Sequence, residues 1–284
     1  MKACVGELLQ HYKERLEGAL GLDPDSARIE AQCLLQDIFQ ANRAWLLAHT
    51  ECILDTAQLA HCSAIFKRRL LGEPIAYILG EREFYGLNFK VSPATLIPRP
   101  ETELLVDLAL QRIPLQGKCR VLDLGTGTGI IALSIAKLRP GAEVLAVDAS
   151  LDALAVSQEN ARRLSLSNVE FLLSNWFDAL CSEQFDLIVS NPPYIAENDI
   201  HLTQGDTRFE PRSALISGAE GLNDLSHIAV QAPNHLNDNG ILLLEHGYDQ
   251  AARVRSLLID AQYSRVFSAK DLAGIERVTG GSRL

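Results

Sequence analysis

Two patterns of apolar residues divide the chain. Over the first 72 positions they recur every three or four residues: Val5, Leu8, Leu9, Tyr12, Leu16 and Leu20, then Ala31, Leu34, Leu35 and Ile38, then Trp45-Leu46-Leu47, then Leu59, Cys62, Phe66 and Leu70. Four amphipathic helices are predicted, with Gly21 ending the first, Asp23-Pro24 capping and starting the second, and Gly72 stopping the fourth. Between 73 and 100 the pattern changes. Phe84, Leu87, Phe89 and Val91 around Gly86 predict a hairpin that Ser92-Pro93 ends, and Pro100 with Glu101 and Glu103 starts a helix that buries Leu104, Leu105 and Leu108.

From residue 119 onward short β-branched runs alternate with helical stripes. Strands are expected at 120–124, 143–147, 169–173, 185–190, 241–245, 263–268 and 277–279, and helices at 130–138, 151–164, 223–236 and 248–261. Such alternation predicts an α/β, doubly wound, seven-stranded and mostly parallel sheet, whose ligands bind outside the carboxyl ends of the strands. The expected organisation is a small N-terminal helical bundle at 1–72, a hairpin connector at 73–100 and a catalytic domain at 101–284. The bundle shows no catalytic constellation, which makes it a candidate substrate-recognition module.

Three strand ends carry candidate chemistry. The first is Asp123-Leu124-Gly125-Thr126-Gly127-Thr128-Gly129, where glycines let a ligand lie on the backbone beside a helix N-terminus. Ile130 stands where a dinucleotide fingerprint wants glycine, which counts against a dehydrogenase. Asp148 ends the second strand, about 20 residues past the loop, where an acid accepts hydrogen bonds from ribose hydroxyls. Its plainer reading, a helix cap before Ala149-Ser150, leaves the glycines unexplained. After the third strand, Asn175 and Trp176 are placed to line an adenine pocket, although core packing alone accounts for a tryptophan.

The fourth strand runs into Ser190-Asn191-Pro192-Pro193-Tyr194. Two prolines end the strand and restrict the residues before them, so an amide, a carbonyl and an aromatic ring are held close together. The Asn191 side-chain oxygen and the Pro192 carbonyl are suited to accept both N–H donors of a planar NH2 group, with Tyr194 covering its face. The four residues also read as a stiff turn. Arg99, between Pro98 and Pro100, is either a surface charge or a group held against the mouth of the site.

The glycine loop, the ribose acid and Asn-Pro-Pro-Tyr, in this order, resemble the S-adenosylmethionine-dependent methyltransferases of planar nitrogens. Within them the likeness is closest to the peptide chain release factor glutamine methyltransferases of the PrmC/HemK type. It spans essentially the whole chain through Glu83-Phe84-Tyr85-Gly86, Ile97 to Glu103, Val121 to Gly129, Asn191 to Ile195 and Glu210-Pro211. The resemblance implies S-adenosyl-L-methionine as cofactor, held by Gly125, Thr126, Gly127, Thr128, Gly129, Asp148, Asn175, Trp176 and Asn191. It implies class 1 release factors as partners, methylated at N5 of the glutamine in their Gly-Gly-Gln motif. Asn191, Pro192 and Tyr194 would then be catalytic, and Asn191 to Tyr194 with Arg99 would hold the substrate.

Charge bears on the alternatives. The net charge is −10 over 284 residues; residues 1 to 90 hold 10 Lys+Arg against 12 Asp+Glu, and the rest hold 16 against 24. An acidic catalytic half disfavours direct nucleic-acid binding, and so disfavours an amino-methyltransferase of adenine or cytosine in DNA or RNA, without removing it. A non-catalytic nucleotide-fold protein is the other alternative. Cys4, Cys33, Cys52, Cys62, Cys119 and Cys181 are scattered, so no metal site is expected and reduced thiols are. The start lacks the apolar core of a signal peptide and no membrane span is seen, so a cytoplasmic protein is expected.

Overall fold

The computed structural model describes residues 3–283, and the chain divides into two compact units, Met1–Gly80 and Glu81–Leu284. In the first unit, α1 (Val5–Leu20) is closed by Gly21 at φ 66, whose N–H bonds the Glu17 carbonyl. α2 (Pro24–Phe39) begins at Asp23, whose carboxylate accepts the N–H groups of Asp25 and Ser26, two of the donors that a helix start leaves unpaired. α3 (Arg43–Ala48) is capped by Asn42, and α4 (Thr56–Leu70) by a reciprocal Asp55–Gln58 box. The stripes meet around the fully buried Leu16, Leu34, Leu35, Leu46 and Phe66, and Tyr12 stacks on Phe66 with ring centroids 3.6 Å apart.

The helical unit runs past the expected stop at Gly72. Pro74 restarts the chain into α5 (Ile75–Leu79), which ends at Gly80 with φ 74. Five residues give too short a periodic signal to stand out in sequence. The hairpin, read as part of a connector, belongs to the second unit. β1 (Glu81–Phe84) and β2 (Leu87–Lys90) pair through a two-residue turn, Tyr85-Gly86, with φ 54 and 74. The Tyr85 N–H donates to Glu103 at 2.9 Å and its hydroxyl to Asp107 at 2.5 Å, while Phe84 and Phe89 enter the sheet's core.

Seven strands form the sheet: β3 (Cys119–Leu124), β4 (Ala142–Asp148), β5 (Val169–Leu173), β6 (Phe185–Ser190), β7 (Leu236–Glu245), β8 (Ser264–Lys270) and β9 (Glu276–Ser282). Their order is β5-β4-β3-β6-β7-β9-β8, with β9 antiparallel to both of its neighbours and the rest parallel. The chain runs outward from β3 to β5, then returns to place β6 on the other side of β3. The carboxyl ends of β3 and β6 therefore flank the point where strand order reverses, where open sheets bind ligands.

Both faces of the sheet are covered. Val121, Leu187, Val189 and Leu243 pack toward α6 (Glu103–Leu110) and α7 (Ile130–Leu138); Leu122, Leu124, Ile188, Leu242 and Leu244 pack toward α9 (Asn223–Gln231) and α10 (Ala251–Asp260). Each fully buried Leu, Ile or Val side chain contributes about 1.5–3 kcal/mol relative to exposure. α8 (Leu151–Arg163) adds Ala161 to the first face.

The last third of the chain differs from the sequence expectation at several ends. α9 stops at Gln231 rather than 236, because Pro233 cannot donate into the helix and the chain tightens into a 3-10 turn, Ala232–His235. β7 begins at Leu236, five residues early, and Asn239 takes φ 61 within it. α10 begins at Ala251 rather than 248, because the Gln250 side chain is engaged with the Gly247 N–H. β9 extends through Gly280-Gly281 to Ser282. Among the described residues no helix is long and apolar enough to cross a membrane.

Candidate active site

A cavity of about 700 Å³ opens at the carboxyl ends of β3, β4 and β6, within the roughly 300–1,000 Å³ usual for small-molecule clefts. One wall is the glycine loop. Gly125, Gly127 and Gly129 take φ 71, 54 and 85, the region that favours glycine. A Cβ on Gly127 would meet nothing within 4 Å, so that position faces open space, whereas one on Gly125 would come within 3.3 Å of the Trp176 ring. Gly129 differs: a Cβ there would lie 2.9 Å from Leu133 Cδ1 and 3.1 Å from Ser157 Cβ. It does not line the cavity, and its place at the start of α7 serves the close packing of α7 on α8 rather than the ligand surface expected for it.

Two carboxylates fix this loop. Asp123 is fully buried; its Oδ2 accepts the Thr126 hydroxyl at 2.7 Å and the Ala132 N–H at 3.2 Å. Burial pushes its pKa up to about 7 against those two hydrogen bonds, and Oδ1 has no partner. Asp148 accepts the Gly127 N–H at 2.9 Å with one oxygen and the Ser150 N–H at 2.9 Å with the other. Its cap role and its place in the cavity wall coexist. Asn160 adds a tie that sequence reasoning missed: its amide bonds the Thr128 carbonyl and both backbone groups of Lys90, joining loop and hairpin. Only the contacts of a folded chain mark it out.

Trp176 stands over Gly125 with φ 50, its indole N–H donating to Asp224 at 3.2 Å. Asn175 is exposed, also lines the cavity, and donates to Asp178.

The opposite wall carries Asn191. The β3–β6 register pairs Leu124 with Ser190, so Asn191 leaves its strand beside Gly125. Its amide nitrogen donates to Thr102 Oγ1 at 3.2 Å. With nitrogen turned inward, the oxygen is the end left for the cavity that Asn191 lines. The following residues are anchored from below: the Tyr194 carbonyl accepts Gln250 Nε2 at 3.0 Å, and Ile195 pairs with 215–217 through backbone bonds of 2.8 and 3.0 Å. Gly221 fits this anchor closely, since a Cβ at its φ of 69 would come within 2.2 Å of the Tyr194 carbonyl oxygen.

Pro193 lines the cavity, but Pro192 is buried and neither it nor Tyr194 is part of that wall. The Tyr194 ring packs against the core beneath α9 and α10, and burial with the nearby Glu245 holds its hydroxyl in the protonated form. Arg99 reaches the wall, but its guanidinium is committed to Glu210 at 2.5 Å, and the second Glu210 oxygen accepts the Ile97 N–H at 2.8 Å. The pair clasps the 92–102 segment to the 3-10 turns at 200–214, elements with no periodicity to read in sequence.

Comparisons with known proteins agree with this geometry. Residues 101–211 match the family model of the Methyltransferase small domain, and residues 7–80 match that of the PrmC N-terminal domain. A release factor glutamine methyltransferase from Salmonella typhimurium is 50% identical over 259 residues, 91% of this chain and 93% of the relative. One from Vibrio cholerae is 49% identical over 283 residues, 99% and 97% respectively. The chain belongs to the release factor glutamine methyltransferase family. A crystal structure of a methyltransferase from Pyrococcus furiosus, 19% identical, shares the fold with TM-score 0.55 over 78% of this chain and 98% of its own.

The cofactor of this family's fold is S-adenosyl-L-methionine, and the residues present suit it. An adenosine needs a surface free of side chains, which Gly127 provides, and an acid near the ribose, which Asp148 provides. The Trp176 ring lies against Gly125, and the buried Asp123 holds Thr126 of the same loop.

Proposed function

We propose that this protein transfers the methyl group of S-adenosyl-L-methionine to N5 of a glutamine side chain in class 1 peptide chain release factors, within their Gly-Gly-Gln motif. The observation that carries it is the polarity of Asn191: its nitrogen is tied to Thr102, so its oxygen faces the cavity as an acceptor beside the glycine loop. When bound, the cofactor supplies an electrophilic methyl on a positively charged sulfur. The chain's own residues do the rest.

An amide nitrogen is a poor nucleophile because its lone pair is delocalised into the carbonyl. Asn191 Oδ1, on the cavity wall, accepts one N–H group, and the carbonyl of Pro192, a residue buried behind that wall on the same rigid turn, is the acceptor proposed for the other; together they set the nitrogen's position and stabilise the charge it gains. Such placement can supply roughly 7–11 kcal/mol at best. Tyr194, its ring in the core and its carbonyl braced by Gln250, holds the turn that carries Asn191 rigid from behind the wall rather than covering the face of the group. Gly125, Thr126, Gly127, Thr128 and Asp148 hold the cofactor, with Asn175 and Trp176 at its adenine end and Gly129 setting the helix behind. The helical unit recognises the release factor, and the Arg99–Glu210 clasp shapes the substrate's path. A cytoplasmic location follows, where translation presents this substrate.

The test is transfer of labelled methyl from S-adenosyl-L-methionine to a purified release factor, beside the same factor with its Gly-Gly-Gln glutamine replaced, and beside duplex DNA. Label on the intact factor alone is expected. Label on DNA, or on the factor despite the replacement, contradicts the assignment and places a different planar nitrogen in the receptor.

A further inference from the structure

At the carboxyl end of β7 lies a carboxyl group that the reaction as described does not use. The β6–β7 register pairs Ser190 with Leu244, so Glu245 stands beside Asn191 at the ends of adjacent strands. Its side chain is 2% exposed, and Oε2 has no hydrogen-bond partner. Thr102, the acceptor of the Asn191 amide proton, is completely buried at the start of α6. Burial pushes the Glu245 pKa up to about 7, against the Thr102 hydroxyl and the Asn191 amide, which favour its charged form.

A hydroxyl can donate or accept, so Thr102 alone does not decide which way round Asn191 sits. In its charged form a carboxyl can only accept. Beside Asn191 at the adjacent strand end, that form favours the Thr102 hydroxyl and the Asn191 amide pointing their protons toward it, which leaves the Thr102 lone pairs for Asn191 Nδ2. We propose that Glu245 is a positioning residue for methyl transfer: through Thr102 it sets the polarity of the Asn191 amide, nitrogen inward and oxygen toward the substrate NH2. Without it the Asn191 amide is free to turn its own NH2 outward, where it meets the substrate's donors with donors. A buried carboxyl with an unpaired oxygen is costly to keep, and the polarity of the receptor accounts for it.

The inference rests on the glutamine-methylation reading, and the wild-type assay separates the two: wild-type protein that leaves the release factor unlabelled defeats that reading, whatever the variants do. With wild-type turnover in hand, the experiment compares Glu245→Ala, Glu245→Gln, Thr102→Val and the double variant Glu245→Ala/Thr102→Val, measuring kcat, cofactor Kd and melting temperature. The expected loss in kcat for Glu245→Ala is on the order of 100-fold, the size seen when one preorganised polar contact is removed, with cofactor Kd within about threefold, since Glu245 does not line the cavity. Glu245→Gln keeps an acceptor oxygen and recovers most of the lost rate. Because Glu245 and Thr102 act in series through Asn191, the double variant is no slower than the slower single one. Turnover at the wild-type rate in a folded Glu245→Ala protein overturns the proposal. So does a loss confined to Kd, a Gln variant as slow as the Ala variant, or single losses that multiply in the double variant. Should Glu245→Ala not fold, the Thr102→Val and Glu245→Gln rates decide: Val slow with Gln near wild type supports the proposal, and any other order overturns it.

Discussion

The ends of β3 and β6 lie side by side in one sheet and are built in opposite ways. After β3 the chain passes through three glycines in the left-handed region, and what matters there is the absence of side chains. After β6 it passes through two prolines, and what matters is a side chain and a carbonyl that are not free to move. Each end is backed by a buried carboxyl with one unpaired oxygen, Asp123 behind the loop and Glu245 behind Asn191. The contrast separates two tasks. In the proposed reaction a large cofactor is held by bare backbone, and a small planar amide by the Asn191 oxygen on a rigid turn.

The sharpest way to break this division is at Asn191. Asn191→Ala removes the acceptor while leaving the glycine wall intact, and turnover is expected to fall by about 10²–10³-fold, with cofactor affinity changed far less; steady-state kinetics beside calorimetric titration reads both. Within the loop, two glycines should part company. Gly129→Ala drives a Cβ into Leu133 and Ser157 and is expected to cost about 2–4 kcal/mol of stability, from the close contacts and the positive φ together. Gly127→Ala meets no protein atom and should cost only about 1–2 kcal/mol of stability through its φ, yet weaken the cofactor at least tenfold. Denaturant melts and cofactor titrations distinguish them; equal losses of stability at both would remove the distinction between packing and ligand surface.

These contrasts were legible in the chain to different depths. The caps of α1 and α2, the glycine loop and the Pro-Pro stop are local signals, so their positions were readable from neighbouring residues. Gly129 belongs to the same motif as Gly127, but only the approach of Ser157 from α8 reveals that it serves packing. Thr102, Asn160 and Glu245 carry no local mark at all. Thr102 lies 89 residues from the amide it holds, and Glu245 reaches Asn191 only through strand order. Arg99 was readable as rigid, but not as the partner of Glu210, 111 residues away. Short elements failed for a related reason: α5 and the turns at 200–214 span fewer residues than a period needs to repeat.

The last effect is read as a slope against pH and concerns the carboxyl behind the loop. Asp123 has its folded pKa raised from 3.8 to about 7. The folded protein therefore binds more protons than the unfolded one between those values. Stability from this group is fully present below about pH 4 and is lost as pH rises toward 7, with a slope of at most about 1.4 kcal/mol per pH unit. Asp123→Asn should flatten that part of the curve in denaturant melts between pH 5 and 7.5; an unchanged slope would show that the carboxyl is already charged.

The division of labour between the two strand ends is tested most directly by one crossed measurement: single-turnover methyl transfer to a release factor at saturating cofactor, with cofactor Kd, for Asn191→Ala and Gly127→Ala together. The account predicts a crossing, with Asn191→Ala slow but tightly binding and Gly127→Ala weakly binding but close to the wild-type rate once saturated. Parallel losses of rate and affinity in both variants would contradict it, and the two strand ends would then form a single undivided site.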